Sequence, residues 1–265
     1  MITRIAHPTD FSPEGEAAFS HALRLALEYR CRLDLLHVRS PNEKENWADF
    51  PHVRETLARW GLLNADASIS AIEADLGVTV HKIEIAHHDA IGGVSKFLLS
   101  HRPELIVLAT HGPAGLTRWL SSSVSEGIAR QTHIPTLFFG PEARPFVDLQ
   151  TGALGLNKLV LPLARDPSPR RALHTLNVLL KPLKPSIHAV HIGDTAPWIL
   201  DDAGEPLDVK LMQGPVVETI LEAGKTADLI AMPTDGRHGF LDALRGSTTE
   251  QVLHQANCPL LALPA

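Results

Sequence analysis

The chain has 265 residues, 44% of them hydrophobic, with two cysteines and a formal net charge of −6. That length and apolar content suit one or two globular domains, while the negative balance and the lack of a long basic run disfavour non-specific binding to nucleic acid or to an anionic membrane. Cys31 and Cys258 are too few for a disulfide framework or a Cys-rich zinc site and read as small buried hydrophobes in a reducing cytoplasm. No apolar stretch approaches the roughly 18 residues of a membrane span, and Met1 to Ala6 lacks the apolar region of a signal peptide.

Ile2 to His7 is a short apolar strand that breaks at Pro8-Thr9-Asp10. Ser12-Pro13-Glu14 supplies a helix start, with Ser12 as N-cap and Pro13 at the first helical position. Phe19, Ala22, Leu23 and Ala26 recur at helical spacing, so that helix buries one face. Leu33 to Val38 is a second strand, and Val53, Leu57 and Trp60 mark a helix continuing, with a break at Gly61, toward Asp75. Val78 to Ala86 alternates as a third strand, and Val94, Phe97 and Leu98 belong to the next helix. Leu105 to Ala109 is a fourth strand, Ser123 caps a further helix, and Thr136 to Phe139 is a fifth strand. Strand and helix alternate throughout, which predicts an α/β fold with a parallel sheet. A Pro- and Gly-rich stretch without periodicity then reads as a linker, giving domains 1–142 and 157–265 with a linker at 143–156.

After the linker the pattern restarts. Lys158 to Pro162 repeats the first strand, Ser168-Pro169 the helix start, and Ile187 to Ile192 the second strand, with His191 in the place of His37. Ala109-Thr110-His111-Gly112, nine residues, and Ser122-Ser123-Val124-Ser125-Glu126 are matched by Pro233-Thr234-Asp235-Gly236, nine residues, and Gly246-Ser247-Thr248-Thr249-Glu250. Each copy follows an apolar run (Leu105 to Leu108, Leu229 to Met232) and ends in Ser-x-x-Glu, the capping box that opens a helix. A strand, a glycine loop and a capped helix start can hold an anion on backbone N–H groups. Pro162 lies 154 residues after Pro8, but Gly236 only 124 after Gly112, so about 30 residues are missing from the middle of the second half. The gap falls where the first half has its Trp60 helix. Gly193 to Pro206 is too short to replace that helix, so the second sheet should be less covered there and should pack against the first half or another subunit.

Pro8-Thr9-Asp10-Phe11-Ser12-Pro13, His37-Val38 and the glycine loop together resemble the universal stress protein family in its tandem form. The resemblance implies two doubly wound, Rossmann-like (adenine nucleotide alpha hydrolase-like) domains, each with a parallel five-stranded sheet in order 3-2-1-4-5, the second shortened between strands 2 and 3. The loops after strands 1 and 4 then flank the topological switch point. It also implies antiparallel pairing of the fifth strands, Thr136 to Phe139 with Leu260 to Leu263.

The family further implies a cytoplasmic, homodimeric stress-response protein that binds an adenine nucleotide, ATP or AMP with or without Mg. In the first half the matching positions are Pro8, Thr9, Asp10, Val38, Ala109, Gly112, Ser122, Ser123 and Val124. In the second half they are Met232, Gly236, Gly246, Ser247 and Thr248. Ala109 and Ser122 depart from glycine in the first motif. In the second, Pro233 replaces the first glycine and Ala164 stands where Asp10 stands. The first half therefore favours base and ribose contacts, and the second favours phosphate contacts. Gly224-Lys225-Thr226 mimics the end of a P-loop, but Thr219 occupies the place of its first glycine and no strand precedes it.

Fifteen histidines occur, and His7, His37, His88 and His111 fall near C-terminal ends of strands, beside His87. With Asp10 or Asp89 they offer a metal site as one alternative, although no pair has a tight zinc spacing. No nucleophile elbow or dedicated base is present, and Glu126 and Glu250 are explained by capping. The expectation is a binding module, not an enzyme. The other alternative is an interaction scaffold with degenerate loops.

Overall fold

The computed structural model describes residues 2–110, 122–164, 168–201, 204–234 and 247–264, apart from the side chains of Glu14, Ser122 and Ser123. Ten strands and eight helices occur among them, in a mostly parallel α/β arrangement. Contacts divide the chain into one unit of Met1–Ile134 with Pro145–Gly155 and another of Pro135–Arg144 with Leu156–Ala265.

The first unit carries β1 (Arg4–Pro8), β2 (Arg32–Arg39), β3 (Thr79–Ala86) and β4 (Leu105–Ala109), all parallel, in the order β3-β2-β1-β4. All five residues of β4 are buried, as expected of a parallel strand covered on both faces. Helix α1 (Glu16–Tyr29) follows β1, and the helical stretch around Trp60 is broken at Gly61 as expected, into α2 (Val53–Arg59) and α3 (Ile69–Leu76). Helix α4 (Ala90–His101) precedes β4 and α5 (Ser122–Thr132) follows it. The expected cap at Ser12 is different in detail. Pro13–Gly15 forms one 3-10 turn, Ser12 makes no side-chain cap, and α1 starts only at Glu16.

The second unit holds β5 (Thr136–Phe139), β6 (Lys158–Pro162), β7 (Ser186–Ile192), β8 (Val209–Met212), β9 (Leu229–Thr234) and β10 (Leu260–Pro264). Their order is β5-β10-β9-β6-β7-β8. Every pairing is parallel except β5 with β10, which is antiparallel with Leu137 opposite Leu261, as the resemblance implied. Helices α6 (Arg170–Leu180), α7 (Val216–Gly224) and α8 (Thr248–Gln255) complete it. No helix is found among the described residues between β7 and β8, where the first half has α2 and α3.

A duplicated hydrogen-bond bracket confirms the repeat at a place the motifs do not touch. Glu104, just before β4, accepts through Oε2 from the backbone N–H of Thr3 (3.1 Å) and Arg4 (2.9 Å). Asp228, just before β9, accepts through Oδ2 from Asn157 and Lys158, both at 2.8 Å. In each half one carboxylate ties the start of the central strand to the start of its neighbour.

The stretch read as a linker is partly an ordered strap. Its residues 145–155 pack on the first unit, where Val147 bridges Leu154 and Trp60 Nε1 donates to the Leu149 carbonyl at 3.1 Å. Its main anchor is His21 on α1, which is completely buried. His21 Nδ1 donates to the Ala17 carbonyl (2.6 Å), so Nε2 is left bare and accepts from the N–H of Phe146 and of Val147, both at 3.0 Å. Burial pushes the His21 pKa down to about 3, against the opposing pull of the Ala17 carbonyl, and keeps the ring in the acceptor form that the strap requires.

Candidate functional site

The carboxyl ends of β1 and β2 and the start of α4 surround a cleft of about 680 Å³, within the usual range for small-molecule sites. Asp10, Phe11, His37, Val38, His88 and Ala90 are among its walls. Parallel pairing brings these ends together, with Pro8 of β1 in register with Leu36 of β2 and Val38 with Ile85 of β3.

The turn after β1 is fixed by its own polar atoms. Thr9 is buried; its N–H donates to the Leu36 carbonyl (2.8 Å) and its Oγ1 accepts from the Phe11 N–H (3.1 Å). Asp10 Oδ1 accepts from the Ser12 N–H at 3.0 Å. Its other oxygen, Oδ2, is buried and has no hydrogen-bond partner among the described residues. Phe11 takes a left-handed φ of 63°, unusual for a bulky residue. That conformation stacks its ring on His37 at 3.9 Å between centroids and sets it edge-on to Phe50 at 5.1 Å. His37 Nδ1 lies 2.9 Å from the Thr9 carbonyl. On the other side of Phe11 a second cleft of about 440 Å³ opens between α1 and α2.

Across the cleft, Arg39 and Glu84 pin the loop that follows β2. Arg39 Nε donates to Glu84 Oε2 (3.0 Å), its Nη1 donates to the Glu43 carbonyl (2.8 Å), and the Asn46 N–H reaches Glu84 Oε1 at 2.5 Å. Gly92 and Gly93 open α4 against this wall. A Cβ on Gly93 would lie 2.9 Å from His87 Cβ and 3.3 Å from Val38 Cγ2, so only glycine allows the helix this close to β2. The sequence carries that signal in its Gly92-Gly93 pair, which belongs to no apolar period.

The rim histidines have separate lives. His7 is buried to 1% exposure and is not on the rim at all. Its Nδ1 lies 2.9 Å from the Val107 carbonyl, and burial pushes its pKa down to about 4 despite that bond and the nearby Asp10 carboxylate. His87 Nδ1 lies 2.6 Å from the Asp89 carbonyl. Asp89, considered above as a metal ligand, is the N-cap of α4, its Oδ2 accepting from the Gly92 N–H at 2.6 Å. Among the described residues these imidazoles form no three-ligand group. His111 lies outside the described residues.

The structure thus brings Pro8, Thr9, Asp10 and Val38 together. Ala109 ends β4, and its carbonyl accepts from Ser125 Oγ at 2.9 Å, fastening the strand to the first turn of α5. That helix begins at Ser122, so Ser123 lies inside its first turn and not at the cap; Val124 follows, half-buried. Gly112, Gly236 and Gly246 lie outside the described residues. In the second half Met232 is buried in β9, Ser247 is the N-cap of α8 with Oγ accepting from the Glu250 N–H (3.2 Å), and Thr248 is its first residue. The scaffold of the first turn recurs there. The Leu163 N–H donates to the Val190 carbonyl, and His191 Nδ1 lies against the Leu163 carbonyl, both at 2.8 Å. The exposed Ala164 supplies no carboxylate. Gly224 closes α7 where a Cβ would strike Ile230 Cδ1 at 2.6 Å, so its glycine serves helix–strand packing, not phosphate binding.

Comparison with known proteins agrees with this architecture. The model of the universal stress protein family matches residues 1–139 and 199–264. A universal stress protein of Methanocaldococcus jannaschii is 25% identical, the match covering 40% of this chain and 81% of that protein. The crystal structure of a universal stress protein from Archaeoglobus fulgidus superposes with a TM-score of 0.65 at 18% identity, over 98% of both chains. A Pseudomonas aeruginosa protein described as functionally unknown gives 0.63 at 16%, over 99% of this chain and 92% of its own.

Proposed function

The chain belongs to the universal stress protein family in its tandem form, and we propose that it acts as an adenine-nucleotide-binding stress-response module whose principal site is in the first half. The observation that carries this reading is the Asp10 carboxylate. One oxygen is committed to the turn, while the other is buried, bare and part of the wall of the cleft. A buried acceptor without a donor is costly, and a ribose hydroxyl is a donor of the right kind. In this reading the base lies against Val38, the ribose against Asp10 and Thr9, and the phosphates run toward the amides that open α5. The ligand is ATP or AMP, with Mg accompanying the longer phosphate chain. The second half, with Ala164 in place of a carboxylate, has a minor role.

The module works by binding and not by catalysis: a bound nucleotide holds the ends of β1, β2 and α5 in one arrangement that a partner reads. It acts in the cytoplasm as a homodimer. No helix among the described residues is long and apolar enough to cross a membrane. Burial pushes the Cys31 thiol up to about 12 and the Cys258 thiol up to about 11, and both cysteines are free.

Titration calorimetry with AMP and with ATP and Mg tests the reading. Binding by the native chain should weaken at least about 10-fold in Asp10→Ala, the loss expected of one hydrogen bond to a charged acceptor. Absence of heat with both nucleotides, together with no nucleotide released on denaturation, would overturn it in favour of a scaffold. Phosphate release at or above about 1 s⁻¹ would overturn the non-catalytic part.

A further inference from the structure

We propose that the cleft between α1 and α2 is a second ligand site, one that takes a small organic cation: an amine with an apolar or aromatic body. The cleft holds about 440 Å³, inside the range of about 300–1,000 Å³ usual for small-molecule sites. It lies beyond Phe11 from the cleft that contains Asp10, and Phe11 is the residue common to both walls. The site requires no nucleotide in that other cleft. Its apolar wall is made by the buried Phe19 and the half-buried Phe11 and Pro51. Three exposed carboxylates, Glu16, Asp49 and Glu55, stand around it against one guanidinium, Arg59, and one imidazole, His52.

Charge selects the occupant. Arg59 Nη2 lies 3.3 Å from Glu16 Oε1, and His52 Nδ1 lies 3.2 Å from Glu55 Oε1. Both basic groups of the cleft are thus engaged by its own carboxylates, and an entering anion meets a net negative rim. The positive end of α1 does not reverse this, because Glu16 stands in the first turn of that helix. A cation finds the opposite: carboxylates around apolar surface, with phenyl rings whose faces attract positive charge. The chain already places an ammonium on this aromatic cluster. Lys82 Nζ lies 5.7 Å from the Phe50 ring centroid, and Phe50 is edge-on to Phe11. Phe11 also reports occupancy. It holds its left-handed φ in the turn that carries Asp10, and its ring stacks on His37, a wall of the other cleft. A ligand resting on Phe11 from the α2 side therefore bears on that stack.

Titration of the full, nucleotide-free chain with phenethylamine, and with phenylacetate as its anionic counterpart, tests this. Calorimetry should give a Kd of about 0.1–1 mM for the amine and binding at least about 10-fold weaker for phenylacetate. The amine should bind less well as salt rises from about 0.05 to about 0.5 M. The ring-proton resonances of His37 should shift as the amine saturates. Glu55 has a side chain 79% exposed and Asp49 is also exposed, so Glu55→Lys and Asp49→Lys can be made without entering the core. Each should weaken the amine at least about 10-fold with an unchanged melting transition, and Glu55→Gln should weaken it less than Glu55→Lys. No binding of phenethylamine at about 10 mM overturns the proposal, and so does equal affinity for phenylacetate. An amine that binds but is indifferent to both lysine substitutions, or that leaves His37 unmoved, occupies another place and overturns it too.

Discussion

The second strands of the two halves occupy equivalent positions beneath different cover. Leu33 of β2 is in register with Ile5, and Ile187 of β7 is in register with the equivalent Leu159. Leu33 is fully buried, in the half where α2 and α3 contribute Val53, Leu57, Trp60 and Ile72 to the core. Ile187 is 41% exposed. The outer strand also shortens, from eight residues in β3 to four in β8. Yet the parallel order survives unchanged: β3-β2-β1-β4 has its counterpart in β8-β7-β6-β9. Strand order in this fold is therefore set by the central strands and their backbone ladders, and the crossover helices are a separable layer. Losing that layer leaves apolar surface that must find cover elsewhere or remain wet.

Paired truncations break or sharpen this comparison most directly. Leu33→Ala should cost about 4 kcal/mol, the usual loss for a large side chain removed from a sealed core. Ile187→Ala should cost about 1 kcal/mol, because much of that side chain already meets water. Hydrogen exchange of α1 and α6 amides reads each half separately within the intact chain. Equal losses would show that something covers β7 in solution, and repeating the measurement on the dilute chain would tell whether that cover is a second copy.

His21→Ala comes next, at about 3 kcal/mol, because two buried N–H groups of the strap lose their shared acceptor. Thr175 holds the corresponding place in α6, so the strap distinguishes the first half from the second. The same residue makes stability depend on pH. Burial lowers the folded pKa of His21 to about 3 and of His7 to about 4, both below the ordinary 6.5. Below pH 6.5 the unfolded chain binds protons that these folded rings refuse, so stability is full above about 6.5 and falls as pH drops toward 4. Each ring contributes about 1.4 kcal/mol per pH unit within its window. Urea unfolding between pH 7.5 and 5 should show that slope, and His21→Ala should remove the share due to one ring. An unchanged slope in that variant would mean the pH dependence arises elsewhere.

Much of this was legible in the sequence because parallel strands are short apolar runs between turn residues. β4, β5 and β6 fall at Leu105–Ala109, Thr136–Phe139 and Lys158–Pro162, as the runs indicate. Features without a local period were not legible. β8 has only four residues and no apolar run to announce it. α1 and α4 end on Arg30 and Arg102 in the left-handed region, where glycine is the usual signal. The strap reads as a linker because its anchors, His21 and Trp60, are far away along the chain. At the site, Pro8-Thr9-Asp10 and Val38 are visible as a motif. The bare Asp10 oxygen, the Gly93 contact and the capping role of Asp89 are products of packing that no spacing rule contains.

The smallest expected effect tests the part of the repeat that both halves keep. Ser247 Oγ caps α8 through the Glu250 N–H, and Ser247→Ala should cost about 1 kcal/mol, whereas Ser247→Gly should cost only a few tenths. Ser123 is the matching residue in the motif, but α5 already starts at Ser122, so Ser123 stands one step inside its helix. There the order should change. Ser123→Ala should be neutral or slightly stabilising, because alanine is the better helix former inside a turn, and Ser123→Gly should cost about 0.5–1 kcal/mol. Thermal unfolding of the four variants checks this. If Ser123→Ala instead costs as much as Ser247→Ala, the two serines cap alike and both helices start at the same motif position. If the orders differ as expected, α5 starts two motif positions earlier than α8, and the amides that open the two helices differ between the halves even where their sequences match.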